Sequence, residues 1–192
     1  MALVAQAKPK QTSALERAAQ KRAERKSSSK YDEHFRKYTK RFFGPTFDWR
    51  YFKAQGMTES GLSANARSRV GARGVMQRMP STFSEIRSHR TDLRAIDDPA
   101  SNIAAGIMHD RYLWGLWQQL DDEDQRHRFM FASYNAGEGT INRALATAMA
   151  RERQAKWEAI EKVAPTVPRW RYSETVGYVR RIDSTYAWLI SR

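Results

Sequence analysis

The sequence contains no cysteine. That excludes disulfides, thiolate metal sites and a cysteine nucleophile. It leaves the compartment open, because disulfide-free chains work in reducing and oxidising spaces alike. No apolar run approaches the roughly 18 residues a membrane-spanning helix needs, so no transmembrane segment is expected. The start, Met-Ala-Leu-Val-Ala-Gln-Ala, is too short and weakly apolar for the core of a secretory leader. The expectation is export by another route, no export, or a leader that precedes this sequence. Period-2 alternation over the length of a strand is missing, as is any repeat with a period of roughly 20–50 residues. Acidic residues are scarce: 21 Asp and Glu face 34 Lys and Arg, a net charge of +13. A surface this basic attracts polyanions, whether nucleic acid, anionic lipid or an acidic glycan.

Apolar residues make up 41% of the 192 positions and aromatics 11%, enough for one core and too much for a disordered chain. The positive charge is uneven. Residues 1–41 hold 12 Lys and Arg against 4 acids, and the other 151 hold 22 against 17. The first 30 residues are rich in Ala, Lys, Arg, Gln and Ser and carry no aromatic. They read as a flexible or partly helical basic arm over 1–40, with the folded domain over 41–192.

Helical spacing runs through that domain. Phe52, Gln55 and Glu59 share a face in a helix from Phe47 to about Glu59. Pro80 opens a short helix to about Arg87, and Asp98-Pro99 opens a longer one ending near Trp117. Asp124 to Ala136 is stopped by Gly137, and Ile141, Ala144, Leu145 and Ala148 mark the next helix. A last helix opens at Ser173 and carries Thr175, Val179, Ile182, Tyr186 and Leu189 on one stripe. The fold class is mostly α.

Glu59 ends the first of these helices, just before a long loop rich in Gly, Ser and Asn that reaches Gln77. A carboxyl at the end of an apolar helix is poorly solvated. Desolvation raises its pKa and keeps a proton on it near neutral pH, as a general acid requires. By itself such a Glu is more often a solvated surface residue. Tyr134 is equally at home in a core, Met76 and Met79 as core filler, and Glu174 as a charge favoured at a helix N-terminus. His34, His89, His109 and His127 lack metal-ligand spacing, and Asp121 to Asp124 lacks the glycine and closing Glu of a calcium loop. No metal and no cofactor is expected, and no phosphate-binding glycine motif is present.

Four blocks occur in one order: Glu59-Ser60; Gly71-Ala72-Arg73-Gly74-Val75-Met76-Gln77; Tyr134-Asn135-Ala136-Gly137; and Glu174-Thr175 with Tyr178-Val179. Together they resemble the lytic transglycosylases of the soluble SLT type, whose helical fold is shared with goose-type lysozyme. The resemblance covers roughly residues 45–190. It implies a lysozyme-like helical domain with a glycan-binding groove, and it implies Glu59 as sole catalytic acid/base. Ser68 matches a serine that contacts substrate near the scissile bond. Met76 and Gln77 match residues that line the groove. Tyr134 matches the tyrosine that points at the catalytic carboxylate, with Asn135 in the same wall. Glu174 matches a buried glutamate under the active-site floor, and Ser60 stands beside the catalytic position as support. Three departures stand out: Val75 for the usual Leu, Ser133 for the usual Ala, and Arg78 where an apolar residue is commoner, a charge read as lying beside the groove.

The activity implied is cleavage of the β-1,4 bond between N-acetylmuramic acid and N-acetylglucosamine in peptidoglycan strands, closing a 1,6-anhydro ring. Alternatives are a hydrolase of the goose-lysozyme type and a catalytically weak glycan-binding assembly component. The setting implied is a bacteriophage virion protein that opens the host wall. The alternative is a periplasmic enzyme of a bacterial secretion or conjugation apparatus. Partners are then the glycan strands and, through basic residues 1–41, other virion or apparatus proteins or an anionic polymer, nucleic acid included.

Overall fold

Two aspartates begin the two longest central helices. The computed structural model describes residues 29–192. Within it, the Asp98 side chain accepts from Ser101 N at 2.9 Å and opens α4, Pro99–Leu116, with Pro99 in its first turn. The Asp122 side chain accepts from Asp124 N and Gln125 N and opens α5, Glu123–Ala136. Each cap satisfies backbone donors that a helix start leaves without partners. The remaining elements are α1 Asp32–Phe43, α2 Arg50–Ser60, α3 Pro80–Ser88, α6 Glu138–Glu152, α7 Trp157–Val163, a 3-10 turn Ala164–Thr166, and α8 Tyr172–Ile190. Among the described residues no strand forms. Two isolated bridges, Arg67 with Arg73 and Arg73 with Arg78, brace the loop after α2.

Tyr31–Arg192 forms one compact unit. Its centre is α4 and α5, whose Ile103, Ile107, Leu113, Phe129, Met130 and Phe131 are fully buried. α2 packs against α8, and α1 packs against α4. The α2–α8 seam is locked by Tyr51 and Tyr186, whose rings stack at 3.7 Å, and the Tyr186 hydroxyl donates to Asp48. No helix among the described residues is long and apolar enough to cross a membrane.

The structure shifts two expectations. The boundary drawn at 40/41 falls inside α1, and the buried Phe35 and Tyr38 make that helix part of the core. A basic stretch can therefore still fold: α1 puts its charged residues on one face and its aromatics on the other. Of the expected arm, residues 1–28 lie outside the described residues. The second shift is α7, which carries no periodic signal of its own. Trp157, Ala159, Ile160 and Val163 fill the space beside α6, and the Trp157 amide donates to the Gln125 side chain.

Candidate active site

α2 stops one residue after Glu59 because Gly61 turns left-handed at φ 61°. Gly61 N then donates to Met57 O at 2.9 Å, and Leu62 N to Gly56 O at 3.4 Å. The bond from Gly61 to Met57 is that of the αL cap, which satisfies a free carbonyl at a helix end. It leaves Glu59 on the last turn and sends the chain back over it. Ser60 fastens the return, its hydroxyl donating to Val75 O at 2.8 Å and accepting from Ser63 N at 3.1 Å.

The loop from Gly61 to Met79 is folded on itself and clamped from below. Ser68 pairs through its backbone with Ala72 O at 2.9 Å, and its hydroxyl accepts from Ala72 N at 3.0 Å. Arg73 and Arg78 exchange two backbone bonds of 2.9 Å. Gln77, at φ 42°, spends its amide on Ala66 O and Gly74 O. The clamp is Asn102 on α4, fully buried. Its Oδ1 accepts from Met76 N at 2.8 Å, while Nδ2 donates to Arg73 O at 3.0 Å and Ile96 O at 2.8 Å. Gly74 is required here, since a Cβ on it would lie 2.5 Å from the Asn102 amide.

Below the loop, the Glu59 carboxyl accepts from the Tyr178 hydroxyl at 2.6 Å. Burial pushes its pKa up to about 7. The Tyr178 hydrogen bond pulls the other way, as do the charges of Arg78 and Arg181. Around it lies a buried polar cluster. Arg78 is 4% exposed, with its guanidinium 4.7 Å from the centre of the Tyr134 ring. Asp110 is fully buried, accepts from Gln55 at 3.2 Å, and is held well above the usual carboxylate range by burial. His109 is pushed down to about 3, by burial first and by Arg78 second, so its ring is neutral. The arrangement offers a carboxyl poised between its protonated and ionised forms near neutral pH, beside a hydroxyl that can steady the ionised one. That pairing suits proton donation to a leaving oxygen and recovery of a proton afterwards.

The structure brings Glu59, Ser60 and Tyr134 into one neighbourhood, keeps the Gln77 amide within the loop, and revises several expected roles. The tyrosine that touches Glu59 is Tyr178; the Tyr134 hydroxyl donates to Met76 O at 2.7 Å. Met76 does not line a groove. It is fully buried, wedged between Gly56 and Gly106, where a Cβ would approach it to 3.3 Å and 2.8 Å. Glu174 is not buried: it is exposed and paired with Arg171 at 3.0 Å, because it faces outward in the first turn of α8. Arg78 lies inside rather than beside the groove. Asn135 and Glu174 meet at a separate cleft of about 240 Å³, shared with Thr140, Arg169, Trp170 and Arg171. That cleft opens one helical turn from Tyr178 along α8. Ser68 is half-buried and braces the loop through its own hydroxyl.

Sequence reading missed Gln55, Asn102, Asp110 and the contact of Tyr178. One signal was available: Asn102 and Asp110 are polar residues at i and i+8 in the apolar run of α4, where a polar group is kept only with a partner.

An SLT-type architecture with a half-buried glutamate whose pKa is raised defines a class, and comparison with known proteins agrees. The transglycosylase SLT domain model matches residues 37–157, and the chain belongs to that family. Among curated relatives, membrane-bound lytic murein transglycosylase F of Shewanella loihica is 32% identical over 179 residues, covering 82% of this chain and 36% of that protein. Its counterpart in Pseudomonas fluorescens is 31% identical over 161 residues, covering 79% and 30%. The 70 kDa soluble lytic transglycosylase of Escherichia coli matches in structure with a TM-score of 0.62 at 25% identity, over 84% of this chain and 25% of that one. A complex of the 70 kDa soluble lytic transglycosylase with bulgecin A shares the fold, at a TM-score of 0.65 and 24% identity over 86% of this chain and 25% of that chain. The chain thus spans about a third of the length of these curated relatives. The expected mostly helical, lysozyme-like domain is the fold observed.

Proposed function

We propose that this chain cleaves peptidoglycan glycan strands as a lytic transglycosylase, with Glu59 as its single acid/base. One observation carries the reading: a recessed carboxyl with a pKa raised to about 7, held at 2.6 Å by the Tyr178 hydroxyl, where the family's first block falls. Glu59 gives its proton to the β-1,4 oxygen between N-acetylmuramic acid and N-acetylglucosamine. The C1–O bond breaks and its electron pair stays on the departing oxygen. The N-acetyl group of the muramic residue assists from within the substrate. The Glu59 carboxylate, steadied by Tyr178, then takes the proton of the same sugar's C6 hydroxyl as that oxygen bonds to C1. The product ends in a 1,6-anhydro ring. The acceptor is intramolecular, which supplies proximity that bulk water lacks, and a second carboxylate to activate water is not needed.

In this reading Asn135 and Gln77 border the strand, while Ser60, Ser68 and Tyr134 hold the loop in shape. The basic residues that precede α1 supply the arm. Mass spectrometry of digested sacculi tests the reaction. Muropeptides lighter by one water than lysozyme products are expected; hydrated reducing ends would show a hydrolase instead. An absence of any cleavage would leave a glycan-binding component. We place the activity in local wall opening by a phage particle. Copurification with virus particles supports that setting, and recovery in a bacterial periplasmic fraction replaces it.

A further inference from the structure

Arg78 is a charged side chain held in the interior. It is 4% exposed, and its Nε is buried without a hydrogen-bond partner. Its backbone is pinned by both bonds to Arg73, which fixes where the side chain enters the interior. Its guanidinium lies over the Tyr134 ring at 4.7 Å, and that ring is itself tied down by the Tyr134 hydroxyl on Met76 O. A planar guanidinium over an aromatic face is a favourable and orienting contact. Burying a cation costs several kcal/mol unless something in the interior uses its charge.

The groups facing it come from every element packed around the cluster. α2 contributes Glu59, α4 contributes His109 and Asp110, and α5 contributes Tyr134; Gln55 bonds to Asp110, and from α8 Tyr178 and the exposed Arg181 act on Glu59. Two of these are carboxyls. Asp110 has one oxygen on Gln55 and its Oδ2 buried without a partner, a position that a charged carboxylate tolerates badly and a protonated carboxyl far better. His109 is neutral for the same reason of burial. With Asp110 protonated, the field of Arg78 is not cancelled locally. The remaining acid that changes charge during turnover is Glu59.

We propose that Arg78 is a positioning residue of the reaction: a buried cation, fixed over Tyr134 and left unneutralised by Asp110, that stabilises the carboxylate Glu59 becomes when it gives up its proton. The inference rests on the reading of Glu59 as acid/base. It adds a reason why one carboxyl can serve both half-reactions beside a buried polar cluster. Tyr178 supplies one hydrogen bond to the ionised form, and Arg78 supplies long-range attraction without an ion pair that would lock Glu59 as a carboxylate. Because Arg78 is buried, it acts on turnover and not on substrate binding.

The test is the pH dependence of strand cleavage by Arg78→Met, Arg78→Lys and the unmodified chain, with thermal melting alongside. For Arg78→Met the alkaline limb moves up by about one pH unit. Turnover at pH 6 falls about tenfold, since a weaker acid protonates the leaving oxygen more slowly, while KM stays within about twofold. Melting is kept or raised, because an apolar side chain of similar volume replaces a buried cation. Arg78→Lys keeps the charge, and its limb stays closer to that of the unmodified chain. A limb in Arg78→Met that coincides with that of the unmodified chain, or a loss confined to stability or KM, overturns the proposal. Should Arg78→Met not fold, Arg78→Gln is read the same way. The underlying reading fails separately, through cleavage that survives in Glu59→Gln.

Discussion

The Tyr178 hydroxyl meets Glu59 Oε1 at 2.6 Å, joining the end of α2 to the first half of α8 across 119 residues of chain. The bond opposes the desolvation that raises the Glu59 pKa, so it sets how readily the proton leaves. In Tyr178→Phe the carboxylate loses its donor and burial acts with less opposition. The expected outcome is an alkaline limb displaced upward by roughly half to one pH unit and cleavage slowed about tenfold, both read from a pH series of initial rates. A downward displacement contradicts the assignment.

Glu59→Gln keeps the size of the side chain and removes the proton. Cleavage falls by at least about a hundredfold, the lower end of what positioned acid–base transfer contributes. Retained activity in a zymogram or a muropeptide assay would falsify the assignment of Glu59.

The same substitution has a stability consequence with a defined sign. Glu59 has a folded pKa of about 7, above its ordinary value of 4.5. Its neutral form therefore favours the folded state. That contribution is complete below pH 4.5 and is lost as pH rises through about 7. Denaturant melts of the unmodified chain and Glu59→Gln should agree near pH 4. They should separate progressively between pH 4.5 and 7 and stay apart above it, with the Gln variant the more stable by about 1–2 kcal/mol after allowance for the residue's residual exposure.

Two glycines of the loop separate crowding from backbone strain. Gly71 has φ 92° with open space around it, whereas Gly74 has φ 77° and the Asn102 amide 2.5 Å from any added Cβ. Gly71→Ala should cost about 1–2 kcal/mol from the positive φ. Gly74→Ala should cost more, because the clamp itself must move, and should also depress cleavage. Equal melting temperatures for the two variants would show that the Asn102 contact does not constrain the loop.

Asn102→Leu removes three hydrogen bonds and strands Met76 N and the Ile96 carbonyl, while the Arg73 carbonyl keeps its bond from Arg78 N. A loss of about 2–4 kcal/mol is expected from urea unfolding. Amide exchange should rise across 73–78 before it rises in α4 and α5.

The helices with strong local signals were legible in the sequence. Pro80, Asp98-Pro99 and Gly137 act within a turn of themselves, so helix starts and a stop are carried by neighbouring residues. α3, α4 and α5 open or close where those residues stand. The position of Glu59 was legible for the same reason, since Gly61 closes α2 locally. Family blocks named the segments that converge, but not which atoms touch. Tyr134 and Tyr178 are both near Glu59, and only the packing of α8 on α2 sends the Tyr178 hydroxyl to the carboxyl and the Tyr134 hydroxyl to Met76 O. Likewise Met76, Arg78 and Glu174 have side chains that suit surface, groove or core. Their burial depends on the space left between helices far apart in sequence, such as the gap at Gly56 and Gly106 that Met76 fills. Local chemistry determined where the chain turns and where the acid stands. Tertiary packing decided how dry that acid is and which charges reach it, because desolvation and Coulomb fields are sums over neighbours that the linear order does not contain.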